Sequence, residues 1–89
     1  MYQLKLTSRA QRQLDRFPAE DLGRIVAALQ QLLGNPRPSG TKKLRGSIYR
    51  IRAGEWRIIY AVFDKDKLII VGKIARRSED TYDRMKDLF

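Results

Sequence analysis

The residues best suited to chemistry lie in the second half of the chain: Arg50, Arg52, Arg57, Arg76 and Tyr82. Guanidinium groups stay charged at any usable pH and grip phosphate through paired hydrogen bonds. A phenol beside them can stack on an unpaired base. The combination suits single-stranded RNA better than duplex DNA, because no segment reads as a recognition helix. Each residue also has a plainer reading. The strand arginines could form the solvated outer face of an antiparallel sheet. Arg76 could be a solvated strand end, and Tyr82 a core contact under a helix. Lys73 reads as an outward residue of its strand.

The element that must position these groups is a hairpin, YRIRAGEWRIIY, from Tyr49 to Tyr60. Ile48, Arg50 and Arg52 alternate with Tyr49, Ile51 and Ala53. Gly54-Glu55 forms a two-residue connection, and Gly in first place suits a tight II′ turn. That turn sets Ala53 opposite Trp56 and Arg52 opposite Arg57. Like charges directly opposite destabilise a strand pair. Arg50 lies two residues along on the same face. Arg76 ends the last strand at the same end of the sheet as the turn, so a meander brings it near Arg52 and Arg57.

The rest of the chain supplies the scaffold. Tyr2 to Leu6 alternates as a short strand, and Thr7 or Ser8 caps the helix after it. Ala10, Leu14 and Phe17 give that helix a narrow apolar stripe. Pro18 stops it and opens a second helix, with Glu20 and Asp21 at its positive end. Leu22, Ile25, Val26, Leu29, Leu32 and Leu33 share one broad face, and Gly34 reads as the residue just past its end. Asn35 to Gly40 is a loop. Lys42, Lys43 and Arg45 form a basic run leading into the hairpin. Trp56 to Phe63 and Lys67 to Ala75 read as buried strands joined by a turn at Asp64-Lys65-Asp66. Ser78 caps a last helix carrying Tyr82, Met85 and Phe89. The expected fold is α+β. Its antiparallel sheet is a short N-terminal strand plus a three-strand meander, packed against an N-terminal helical hairpin, with a C-terminal helix.

Composition narrows the partners. A chain of 89 residues makes one domain, 1–89. Lys plus Arg is 19 against 10 for Asp plus Glu, a net charge of +9 that implies an anionic partner. Cysteine and histidine are absent, which excludes a disulfide framework and thiolate or imidazole metal sites. No apolar run approaches the roughly 20 residues of a membrane span. No signal peptide is evident, and a cytoplasmic location follows.

KKLRG at Lys42 to Gly46, the hairpin itself, and VGKIARRSEDTY at Val71 to Tyr82 resemble the RelE/ParE toxin superfamily, on the RelE side. The resemblance implies a ribosome-dependent mRNA endonuclease that uses no metal or cofactor and is held inactive by an acidic antitoxin protein. It assigns the basic pair after the tyrosine to Arg50 and Arg52, and the transition-state arginine to Arg57. The arginine ending the last strand falls on Arg76, with Arg77 the alternative one residue on. The C-terminal tyrosine falls on Tyr82. Lys42, Lys43 and Arg45 are assigned to RNA binding beside Arg50 and Arg52. Several members carry lysines where this chain has Arg50 and Arg52. Arginine cannot accept a proton at usable pH, so Tyr82 becomes the candidate base and Glu55 a weaker one. The rival expectations are a ParE-like toxin directed at a topoisomerase and a non-catalytic RNA- or ribosome-binding module.

Overall fold

In the computed structural model, residues 1–76 are described. The expected C-terminal helix, with Ser78, Tyr82, Met85 and Phe89, lies outside them, as does Arg77.

Strand β1 spans Gln3–Leu6 and alternates exposed with half-buried residues, as its pattern requires. Thr7 then turns the chain into helix α1, Ser8–Asp15. Its backbone is extended, and its Oγ1 accepts a hydrogen bond from the Ala10 N–H at 3.2 Å. Of the two cap candidates, Thr7 is the one used. Helix α2 spans Ala19–Gly34, with Pro18 just before it and Glu20 and Asp21 in its first turn. It buries Ile25, Leu29 and Leu32. Burying each such side chain contributes about 1.5–3 kcal/mol. Val26, expected on that face, is exposed. Gly34 is the last helical residue rather than the one beyond it; Asn35 follows in an extended conformation.

Strands β2 (Lys42–Arg45), β3 (Ile48–Ala53), β4 (Trp56–Phe63) and β5 (Leu68–Arg76) complete a sheet in the order β1-β5-β4-β3-β2. Two expectations need correction. The basic run is itself a strand, paired antiparallel with β3 at the sheet edge. Charged residues hide its periodicity, yet an edge strand tolerates them and gains protection from further pairing. The sheet is also mixed: β1 runs parallel to β5, Gln3 beside Leu68 through Leu6 beside Val71. Two helices intervene after β1, so no hairpin forces it to run antiparallel.

Both helices cover one face. Ala10, Ile25, Leu29 and Leu32 pack there on Ile51, Ile58, Tyr60, Val62, Ile69, Val71 and Ile74. Along β5 this face takes Val71 and then Ile74, three residues apart. The reason is a bulge: Ile59 pairs with Lys73 and Tyr60 with Val71, leaving Gly72 as the extra residue. Helix α1 holds the bulge. Thr7 Oγ1 donates to the Gly72 carbonyl at 3.0 Å, and Gln13 Oε1 accepts from the Ile74 N–H at 2.9 Å.

Candidate functional site: a basic sheet face

The hairpin adopts the expected register. Ala53 lies opposite Trp56 and Arg52 opposite Arg57. Gly54 has φ +63°, the left-handed conformation that the first turn position of a II′ turn demands, and Glu55 has negative φ. The Arg52–Arg57 pair therefore exists, on the face turned away from the helices.

Directly paired residues share a face, so the register maps this surface. One row runs Lys42, Arg50, Ile59, Lys73 across four neighbouring strands. The adjacent row is Arg52, Arg57, Ala75. Arg45 stands across from Ile48, beyond a register irregularity in β2, and so joins the same face. Neither row contains an acidic residue. Lys73, whose type alone suggested only an outward position, thus falls beside the arginines.

These cations differ in setting. Arg50 is only 8% exposed, the one buried charged residue among the described residues. Ile59, Ala61 and Ala75 on its face are buried too. The Nε atoms of Arg50 and Arg57 are both buried. Arg57 is half-buried and Arg52 exposed. A guanidinium in such a low-dielectric setting interacts with a phosphate more strongly than one in open water. Sequence pattern foretold an alternating basic face, but not that its first arginine would be embedded.

Not every candidate joins. Lys43 pairs with Tyr49 and so belongs to the helix side of β2. Arg76 pairs with Trp56 and lies over its ring, 5.1 Å from the centroid. Trp56 in turn packs on Phe17 with centroids 4.5 Å apart, on the helix side. Arg76 is therefore separated from Arg52 and Arg57 by the thickness of the sheet, contrary to the expected cluster. Tyr82 lies outside the described residues.

A hydrogen-bonded loop, residues 35–41, packs on the helix side of the sheet beside Tyr49 and Tyr60. Asn35 Oδ1 accepts from the Arg37 N–H at 3.1 Å. The buried Tyr60 hydroxyl donates to the Pro36 carbonyl at 2.7 Å, and burial pushes that phenol's pKa up. Thr41 Oγ1 donates to the Pro38 carbonyl at 2.6 Å. Arg37 pairs with Asp64 at 2.5 Å and lies 5.0 Å over the Tyr49 ring. Arg37 and the Tyr2 hydroxyl, which donates at 2.6 Å, together hold the Asp64 carboxyl below its ordinary range.

Comparison with known proteins agrees with this architecture. The family model described as the ParE toxin of the type II toxin–antitoxin system parDE matches residues 4–81. A protein of Methanocaldococcus jannaschii described as a RelE1 toxin is 32% identical over 81 residues, 85% of this chain and 90% of the relative. The archaeal RelE of the RelE–RelB complex from Pyrococcus horikoshii superposes with a TM-score of 0.80 at 29% identity, covering 88% of this chain and 97% of that one. The Mycobacterium tuberculosis RelBE2 complex contains a chain with a TM-score of 0.73 at 25% identity, covering 85% and 98%. The chain, with its basic sheet face and two-helix cover, belongs to the RelE/ParE superfamily of type II toxin–antitoxin toxins.

Proposed function

We propose that this toxin is a ribosome-dependent endoribonuclease that cuts messenger RNA on its basic sheet face. The observation carrying the reading is the acid-free row pair built on Arg50, Arg52 and Arg57. The ribose 2′-OH attacks the adjacent phosphorus, and the 5′-oxygen of the next nucleotide leaves. The 2′-oxygen loses its proton and the leaving oxygen gains one, producing a 2′,3′-cyclic phosphate. Arg57 stabilises charge developing on the phosphate. Arg50 and Arg52 fix the flanking backbone, with Lys42, Arg45 and Lys73 extending the cationic track. Such internal attack needs positioning and charge stabilisation, and no metal enters the scheme. Tyr82 remains the proposed group for proton transfer or base stacking. Arg76, over Trp56, is assigned to supporting the hairpin end.

The neighbours crystallised with RelB suggest the partner: an acidic antitoxin that covers the basic face, in a hetero-oligomer. Ribosomes being the site of action, the toxin works in the cytoplasm. Primer extension on a translated message after induced expression tests the activity. Discrete cuts within codons are expected; intact messages would overturn it. The family model carries the ParE name, which favours a second reading, inhibition of a topoisomerase without RNA cleavage. Altered plasmid supercoiling with intact messages would establish that one.

A further inference from the structure

A cleft of about 490 Å³ opens at the edge of the sheet, between α2 and β3, at the point where β2 stops covering β3. Its walls are Ala28 and Gln31 of α2, the loop Pro38, Ser39 and Gly40, and the β3 segment Arg50 to Arg52. Strand geometry decides what this segment presents. Ser47 accepts from the Val62 N–H at 2.9 Å, so Ser47, Tyr49, Ile51 and Ala53 direct their backbone groups to β4. Ile48, Arg50 and Arg52 direct theirs to the other edge. Strand β2 begins at Lys42, opposite Arg50. The N–H and C=O of Arg52 therefore face the cleft beyond the end of β2.

The cleft thus combines a backbone donor and acceptor, the Gln31 amide, the Ser39 hydroxyl and the apolar surfaces of Ala28 and Pro38. None of the described residues that line it is acidic, and Arg50 and Arg52 are among them. The wall is built in advance. Pro36 and Pro38 are buried, and the contacts of Asn35, Tyr60, Asp64 and Thr41 already described fix the loop. Preorganised donors and acceptors bind without the cost of ordering them. Flat apolar surfaces with a few fixed polar groups suit a nucleobase, and the arginines suit the phosphates on either side of it.

Resting on the proposed RNA activity, we infer that this cleft receives one unpaired base of the message next to the phosphate held by Arg50 and Arg52, and that Gln31 and Ser39 select its identity. Charge alone does not separate RNA from an acidic peptide, since both are anionic; the Gln31 amide and Ser39 hydroxyl, set against the apolar Ala28 and Pro38, are what favour a base.

The test uses the full chain. Gln31→Ala and Ser39→Ala alter exposed side chains and spare the core. Ribosomes programmed with messages varied at each nucleotide around the cut give the sequence profile of wild type and variants. Loss of about 10–100-fold at the preferred base, with cutting at other bases retained, is expected for one lost base contact. Profiles identical to wild type would overturn the inference while leaving the nuclease intact. A second measurement needs no ribosome: NMR titration with a trinucleotide made uncleavable by 2′-deoxy substitution. The Gln31 side-chain amide and the Gly40 backbone amide should shift saturably. If wild type cuts no message, the nuclease reading falls alone and this titration still decides the cleft. Shifts with an acidic peptide but none with RNA would make the cleft a protein-binding site and overturn the inference.

Discussion

Arg76 stands directly across from Trp56 and lies 5.1 Å over its ring, on the opposite face of the sheet from Arg57. The cause is the Gly72 bulge. Counting by twos from the buried Ile69 and Val71 sends Arg76 to the basic face. The extra residue reverses that parity, so Ile74 and Arg76 turn towards the helices and Ala75 joins Arg57. An exposed guanidinium over an indole contributes about 0.5–1 kcal/mol.

Arg76→Ala is therefore expected to lower stability by about that amount. On the proposed mechanism its cleavage should fall less than tenfold, since the side chain lies on the opposite face from Arg57. Denaturant melts and message-cleavage rates for this variant check both halves. A loss of cleavage as large as that of an Arg57 variant would return Arg76 to the site.

Arg57→Ala is the contrasting case. Removing one preorganised donor to a developing oxyanion costs about 10²–10³ in rate. On the proposed mechanism, the variant keeps its fold and cuts messages slowly. Full cutting by a folded Arg57→Ala protein would remove this residue from the mechanism.

The sequence told more about the hairpin than about its surroundings. Alternation and the Gly54-Glu55 turn sufficed for the Arg52–Arg57 and Ala53–Trp56 pairs, because tight-turn chemistry is local. Strand β2 was illegible since charge at Lys42, Lys43 and Arg45 leaves Leu44 as its one apolar residue. The parallel pairing of β1 depends on contacts distant in sequence, such as Leu4 beside Ile69. The bulge did have a signal, a glycine inside the apolar run VGKIA, and reading it would have placed Arg76 correctly. The cleft had none, because Gln31 and Ser39 are ordinary polar residues until the fold brings their segments beside β3.

Tyr60→Phe tests the loop anchor. The buried hydroxyl donates to the Pro36 carbonyl at 2.7 Å, and its removal strands that acceptor. A destabilisation of about 1–3 kcal/mol is expected in equilibrium unfolding. Faster hydrogen exchange at Arg37 to Thr41, measured against β4, should accompany it. An unchanged midpoint would mean that water replaces the hydroxyl without loss.

Asp64 gives the acid side of the stability profile a defined contributor. Its carboxyl is held low, first by Arg37 and then by Tyr2. A group with a depressed folded pKa stabilises above its unfolded pKa and loses that contribution as pH falls through the folded value. Asp64→Asn should therefore be less stable than wild type near neutrality, with the two curves converging below about pH 4, the ordinary aspartate range. The gap should be small, because both partners are well exposed, at 37% and 57%. Paired unfolding curves from pH 2 to 7 check the sign; a gap that widens in acid would refute it.

The Arg52–Arg57 pair predicts a trade between stability and activity. The two side chains share a face at directly opposed positions, a costly arrangement on the order of a few tenths to 1 kcal/mol. Arg52 is the exposed member, whereas the Arg57 Nε is buried, so relief is best sought at Arg52. Arg52→Thr introduces a good strand former and removes one charge. Its melting temperature should exceed that of wild type at low salt, while cleavage falls. The advantage should shrink as salt rises, since an exposed repulsion is screened over about one Debye length. Melting scans at two salt concentrations, read beside the cleavage assay, decide the matter. A variant that melts below wild type at both salts would show that Arg52 stabilises the hairpin, and that the basic face carries no cost for a bound phosphate to relieve.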